Sequence, residues 1–291
     1  MHFKAQDRTK LYYKDWGIGE AVILIHGWPL TSEMWEYQSR RLYEAGMRVI
    51  TYDRRGFGRS DQPAGDYTYD TLASDLNDLI NHLDLESVSL VGFSMGGGEV
   101  ARYIANYGTD RISKVALVSS VVPFMLKTKD NENGVSDETF ENIKEGLKED
   151  RPAFLADFSK DFYGVTESNE AVSKEFLNWT FNMAMQASPI ATISCVDSFG
   201  KTDFRKDLKK FDKPTLIVHG KEDKTVPIET SGKSALKILS SAVSKFYDGA
   251  PHGLFATHKD QLFDDLSNFL RGDKSLNISA KEKKTIVKQT R

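Results

Sequence analysis

Between residues 88 and 107 the chain runs from Val88-Ser-Leu-Val91 through Gly92-Phe93-Ser94-Met95-Gly96 into a helical period of Val100, Tyr103, Ile104 and Tyr107. A strand that becomes a helix within so few residues leaves room only for a sharp turn. That turn forces the central serine into a strained backbone region, and glycines two residues to either side let neighbouring backbone approach without a Cβ clash. Ser94 Oγ would then stand beyond the strand end, beside helix N-terminal amides that favour negative charge. Ser94 is therefore a candidate nucleophile. Without chemistry, the same five residues would be a small-residue turn between strand and helix.

Other short apolar runs repeat the strand half of this pattern: Ala21–Ile25, Arg48–Tyr52, Lys114–Val118, Pro214–Val218 and Val243–Tyr247. Uninterrupted rather than alternating apolar runs suit strands covered on both faces. Helical periods lie between them, such as Leu72, Leu76, Leu79, Ile80 and Leu83. The alternation predicts an α/β fold with a mostly parallel sheet and helices on both faces. It lapses between about Pro123 and Asp203, where only helical periods occur: Phe140, Ile143 and Leu147; Phe154, Leu155, Phe158 and Phe162; Phe176, Leu177, Phe181 and Ala184. A helical block inserted there reads as a cap over the strands' carboxyl ends. The expected division is residues 1–122 and 206–273 for the two parts of the core, 123–205 for the cap, and 274–291 for a basic, flexible tail.

A hydrophobic content of 40% with 28% charged residues is that of a globular chain able to bury a large core. The net charge of −3 is no footprint for nucleic acid. The first residues hold an early acid and no apolar stretch, so no signal peptide is read, and no run approaches the roughly 18 apolar residues a membrane helix needs. A cytoplasmic protein without membrane attachment is expected, and assembly into a homo-oligomer stays open. Cys195 is the only cysteine, which excludes an intramolecular disulfide and a multi-cysteine metal site.

A serine nucleophile needs a base, and the base needs a carboxylate to hold it. Of six histidines, His2 is terminal, His82 lies on the polar side of a helix and His258 opens the last helix. His26 follows the first strong strand, and His219 sits inside the strand end Leu216–Gly220. His252, in the loop Gly249-Ala-Pro-His-Gly253 after the last strand run, fits the chain order serine, acid, histidine. For the acid, the loop after Pro214–Val218 reads Lys221-Glu-Asp-Lys224, while Ser119-Ser120-Val121 after Lys114–Val118 has no carboxylate. Asp223 is the expected acid and Glu222 its decoy. His26-Gly-Trp-Pro29 supplies the second half of an oxyanion hole. Pro29 has no N–H, so the Trp28 amide is the expected donor, together with the amide of Met95 after the nucleophile. The expected substrate-contacting side chains are Pro29, Val122, Phe158, Phe162 and Val226. The phenylalanine stripe on the cap reads equally well as core. Gly56-Phe-Gly58 is no dinucleotide fingerprint, because Asp61 stands where its third glycine would be.

These residues resemble the α/β-hydrolase superfamily and, within it, the cofactor-free haloperoxidase/arylesterase (perhydrolase) family. The likeness rests on Tyr13-Lys-Asp-Trp-Gly17, His26-Gly-Trp-Pro-Leu30, Tyr52-Asp-Arg-Arg-Gly-Phe-Gly-Arg-Ser60, Gly92-Phe-Ser-Met-Gly-Gly-Gly98, Thr202-Asp-Phe204, Val218-His-Gly220 and Ala250-Pro-His-Gly253. It implies an eight-stranded sheet with a helical cap, a site without metal or cofactor, and hydrolysis of small esters or lactones. It assigns Ser94, Asp223 and His252 as a triad and Trp28 and Met95 as oxyanion donors. Glu99 stands where the family often has aspartate, the tail past Lys274 is additional, and the cap between Lys127 and Asn169 matches least. The expected activity is cleavage of short aryl or alkyl esters, with perhydrolysis of short carboxylic acids beside it. A lactonase or C–C bond hydrolase with the same triad is the alternative enzyme; a ligand-sensing module is the alternative of another class. Dehalogenase and epoxide hydrolase chemistry would need a carboxylate where Ser94 stands.

Overall fold

The structure, a computed structural model, describes residues 1–272; the segment expected to form a basic tail lies outside the described residues. Eight strands form one sheet: β1 (His2–Lys4), β2 (Lys10–Trp16), β3 (Ala21–Ile25), β4 (Arg48–Tyr52), β5 (Val88–Phe93), β6 (Ile112–Val118), β7 (Thr215–Gly220) and β8 (Val243–Tyr247). Their spatial order is β1-β2-β4-β3-β5-β6-β7-β8. The strands from β4 to β8 in that order are parallel, and β1 and β2 are joined antiparallel at the edge. The six apolar runs are the six parallel strands. The first two strands escape that reading because β1, at the edge, is only three residues long and β2 beside it alternates: Leu11 and Tyr13 are buried while their neighbours face outward.

Alternating side chains of the buried strands feed two cores. Ile23, Leu90, Val115 and Ile217 pack with Leu72, Leu76, Val100 and Ile104 of helices α2 (Tyr69–His82) and α3 (Met95–Tyr107). On the opposite face Val22, Leu24, Val91 and Val218 pack with Leu42, Leu262 and Leu266 of α1 (Glu36–Glu44) and α10 (Lys259–Arg271). The short helices α7 (Arg205–Leu208), α8 (Gly232–Ile238) and α9 (Leu254–Thr257) complete the layers.

Between β6 and α7 the regular elements are all helices: α4 (Asp137–Tyr163), α5 (Lys174–Met185) and α6 (Pro189–Lys201). Each begins on a serine whose hydroxyl caps the first turn: Ser136 accepts from the Thr139 N–H, Ser173 from Phe176, and Ser188 from Ala191. Inside α4 the backbone of Asp150 leaves helical geometry two residues before Pro152, whose ring cannot follow a continuous helix. Asp150 Oδ1 then accepts the Ala153 N–H at 3.0 Å and recaps the second half. That second half carries the phenylalanine stripe across the strands' carboxyl ends, at a different angle from the first. No described helix is long and apolar enough to cross a membrane.

Candidate active site

The sheet order reverses beside β3: the chain turns from β3 to β4 on one side and to β5 on the other. In open α/β sheets ligands collect at such a switch point, beyond the carboxyl ends of the strands. All four expected chemical loops emerge there. Trp28 follows β3, Ser94 follows β5, Asp223 follows β7 and His252 follows β8.

Ser94 sits between β5 and α3 with φ 52° and ψ −119°. A non-glycine residue in this region costs of the order of 1–3 kcal/mol, so the surrounding packing must hold it there. A Cβ on Gly96 would come within 2.7 Å of the Ile25 carbonyl, so the turn needs a glycine at that close approach. The strain turns Ser94 Oγ toward His252, to whose Nε2 it donates at 2.9 Å. On the far side of the ring, Nδ1–H donates to Asp223 Oδ2 at 2.7 Å. Asp223 Oδ1 accepts the backbone N–H groups of Thr225 at 3.0 Å and Val226 at 2.8 Å.

All three side chains are buried, which decides their electrostatics. Burial by itself would raise the Asp223 carboxyl, but the His252 charge and hydrogen bonds from His219 and His252 hold it down at about 2. Glu222, its neighbour in sequence, is exposed and joins none of these contacts. Burial and the Arg54 charge push His26 well below the ordinary histidine range, so this ring stays neutral. His26 Nε2 accepts the backbone N–H of Arg54 at 2.9 Å, which gives it a structural task in the oxyanion loop. The same loop is clamped by the Arg54 side chain, which donates to the His26 carbonyl at 2.8 Å and to Glu99 Oε2 at 2.8 Å. Burial pushes the Glu99 carboxyl well up, and its Oε1 has no partner among the described residues.

Among the described residues no hydrogen-bond acceptor takes the backbone N–H of Trp28 or Met95. A free first amide is ordinary at a helix start, and here it belongs to the residue after the candidate nucleophile. Gly27 lies against the nucleophile itself, since a Cβ there would meet the Ser94 Cβ at 3.0 Å. The Trp28 indole is fixed from above, donating to the Thr192 carbonyl of α6 at 3.0 Å.

Ser94 and His252 open into a narrow chamber lined mainly by apolar side chains: Trp28, Val121, Met125, Phe140, Ile143, Phe158, Phe199 and Val226. Of the side chains expected to contact substrate, Phe158 and Val226 line this chamber. Val122 does not: it is buried away from the chamber and Val121 takes its place. The next residue is Pro123, which favours extended backbone at Val122, and successive side chains of an extended segment point to opposite sides. Pro29 and Phe162 also miss the chamber and line a smaller apolar cavity behind Phe158. Phe162 instead meets the base, its ring edge-on to His252 with centroids 4.8 Å apart. Met125, Phe140 and Phe199 were not anticipated. Phe140 belongs to a helical period that is legible in sequence, but nothing local aims any of the three at Ser94. A larger surface groove at the opposite end of the sheet is lined by Asp15, Glu20, Arg48, Glu86 and Lys114 and holds neither a nucleophile nor a base.

Comparison with known proteins bears on the fold and the family. A family model for the alpha/beta hydrolase fold matches residues 20–259. A non-heme chloroperoxidase from Kitasatospora aureofaciens is 42% identical over 267 residues, covering 91% of this chain and 97% of that one. A bifunctional esterase/perhydrolase from Acinetobacter calcoaceticus is 36% identical over 270 residues, covering 91% and 98%. A crystal structure of bromoperoxidase from Bacillus anthracis superposes with a TM-score of 0.90 at 49% identity, covering 93% of this chain and 100% of that one.

Proposed function

Because the chain belongs to the alpha/beta hydrolase fold family, we propose that it is a serine hydrolase that cleaves small carboxylic esters through an acyl-enzyme and makes peracids when hydrogen peroxide replaces water. The observation that carries this reading is the unbroken line of hydrogen bonds from Ser94 Oγ through His252 to the ionised Asp223. Ser94 Oγ attacks the ester carbonyl as His252 Nε2 takes its proton. Asp223 holds the proton-bearing Nδ1 in place and stabilises the imidazolium that forms. The amides of Trp28 and Met95 receive the developing alkoxide; one such donor is worth roughly 10²–10³ in rate. His252 then returns its proton to the departing alcohol or phenol. Water, activated by the same imidazole, releases the acid and restores Ser94. Hydrogen peroxide attacking the same acyl carbon releases a peracid instead, with the serine again leaving as the alcohol.

The apolar chamber favours aryl and short alkyl groups, since it gives a second charged or strongly polar group on the substrate few partners. Helices α4 and α6 serve as a cap that roofs this chamber, through Phe140, Phe158 and Phe199.

Rapid multiple turnover of p-nitrophenyl acetate, lost by about 10⁴–10⁶ in kcat on Ser94→Ala, is the expected result. A phosphonate should inactivate stoichiometrically and label Ser94; label on Ser119 or Ser120 would move the site. A single slow acylation without turnover would instead indicate a ligand-sensing module. Peracetic acid formed from acetate and peroxide above the level of Ser94→Ala tests the second activity.

A further inference from the structure

We propose that His219 is a positioning residue for the proton relay, pinning the Asp223 oxygen that holds the catalytic imidazole. This rests on the triad reading above.

His219 lies at the end of β7, four residues before Asp223, and is buried. Its Nε2 sits 2.9 Å from the Val226 carbonyl and 3.2 Å from Asp223 Oδ2. The carbonyl and the carboxylate can only accept, and the third polar neighbour, Ser231 Oγ at 3.4 Å, gives its own proton to the Pro227 carbonyl, so Nε2 carries a proton directed at the Val226 carbonyl with Asp223 Oδ2 close beside it. The carboxylate is thereby held at both ends. Oδ1 is fixed by the amides of Thr225 and Val226, and Oδ2 lies between two imidazoles, His252 and His219. A carboxylate gripped at one oxygen can still swing about its last torsion. Without His219, side-chain restraint on Oδ2 would come from His252 alone, the group it is meant to orient. Through Val226 the same N–H also steadies the turn that supplies the amide to Oδ1.

The rest of the environment indicates that the ring is there for this N–H rather than to fill space. Its other nitrogen, Nδ1, is buried with no partner among the described residues. An apolar side chain would occupy the space without leaving a buried nitrogen unsatisfied. The ring's neighbours from β8 and α8 are Phe246 and Gly232, neither of them charged. Asp223 is the one charged group within hydrogen-bonding reach of the ring among the described residues, and its lowered carboxyl agrees with a second donor.

The test compares His219→Gln, which returns an N–H near the place of Nε2, with His219→Met, which has similar length and no donor. His219→Met should lower kcat about 10- to 100-fold, the cost of a small misplacement of a catalytic group, with KM changed less than about twofold. It should also move the acid limb of kcat/KM to higher pH, because an Asp223 carboxylate stripped of one donor favours the imidazolium more strongly. The far-downfield proton resonance of the His252–Asp223 bond should shift. His219→Gln should restore all three. A folded His219→Met variant with parental kcat and acid limb would overturn the proposal, as would equal losses in the two variants. If His219→Met does not fold, the parent decides. Phosphonylation of Ser94 should shift the His219 side-chain ¹⁵N resonances through Asp223, and unchanged resonances would count against the contact. Absence of esterase turnover in the parent would defeat the hydrolase reading, while the ¹⁵N measurement would still report on His219.

Discussion

The backbone N–H of Gly253 donates to the carbonyl of Phe162 at 2.7 Å, joining the last turn of α4 to the loop that carries His252. The Phe162 ring lies edge-on to the same imidazole and also packs against Phe93, the residue before the nucleophile. One residue of the inserted helices therefore braces both the base and the nucleophile without entering the substrate chamber. Phe162→Ala should lower kcat more than it changes KM, and should lose stability by about 3–5 kcal/mol as a buried phenylalanine truncation. Denaturant unfolding and steady-state kinetics on p-nitrophenyl acetate measure the two effects. A large change in KM with intact kcat would place Phe162 in the substrate pocket instead.

Asp223 and Glu222 are adjacent in sequence and opposite in environment. Asp223→Asn keeps the shape but removes the charge and the acceptor that set the His252 tautomer. It should reduce kcat by a factor approaching 10⁴, as the same change does in other triads. Glu222→Gln changes an exposed group and should stay within about twofold of the parent. The reverse pattern would identify Glu222 as the acid.

Acid should switch the enzyme off in one protonation step. Asp223, held at about 2, is ionised throughout the mildly acidic range. Its folded value lies below that of a free aspartate, so its stabilising contribution is complete above roughly pH 4 and is lost as the pH falls through about 2. Above that range, where Asp223 keeps its charge, kcat/KM should fall on acidification with the slope of a single proton, since the general base acts only when it is free to take one. A second inflection near pH 4, before the fold is lost by circular dichroism, would mean that Asp223 is not the ionised partner assigned to it.

The positive φ of Ser94 stores strain that a glycine would not feel. Ser94→Gly and Ser94→Ala should both be inactive, yet the glycine variant should be the more stable by roughly 1–2 kcal/mol, strain relief offset in part by chain entropy. Chemical denaturation of the two variants decides it. A glycine variant less stable than the alanine one would show that the turn is not strained at this residue.

Much of the architecture was legible because its signals are local. Six buried strands declare themselves as uninterrupted apolar runs, and the turn at Ser94 is written in five consecutive residues. The antiparallel pair β1 and β2 was not legible in the same way, because β1 is three residues long and β2 buries alternate residues, so neither presents such a run. Asp223 and His252 could be proposed from chain order and loop position, which narrows a choice among few candidates. Pro29, Val122 and Phe162 were expected at the substrate and stand elsewhere. Proximity in sequence to a chemical loop does not say which way a side chain faces.

By itself the sequence determined that a serine would stand on a strained turn at the end of a central parallel strand. Local steric rules and the period of apolar residues suffice for that. Only the tertiary structure decided that Val121 rather than Val122 faces Ser94, that Phe199 of α6 and Met125 join it, and that His219 lies against Asp223. Those relations arise where segments far apart in the chain are packed together, and in which direction each residue then points. His219 makes the distinction plain: in sequence it is a polar residue at the end of a strand. It meets Asp223 only because the loop after β7 turns back, with Asp223 accepting the amides of Thr225 and Val226, and sets its carboxylate beside the imidazole.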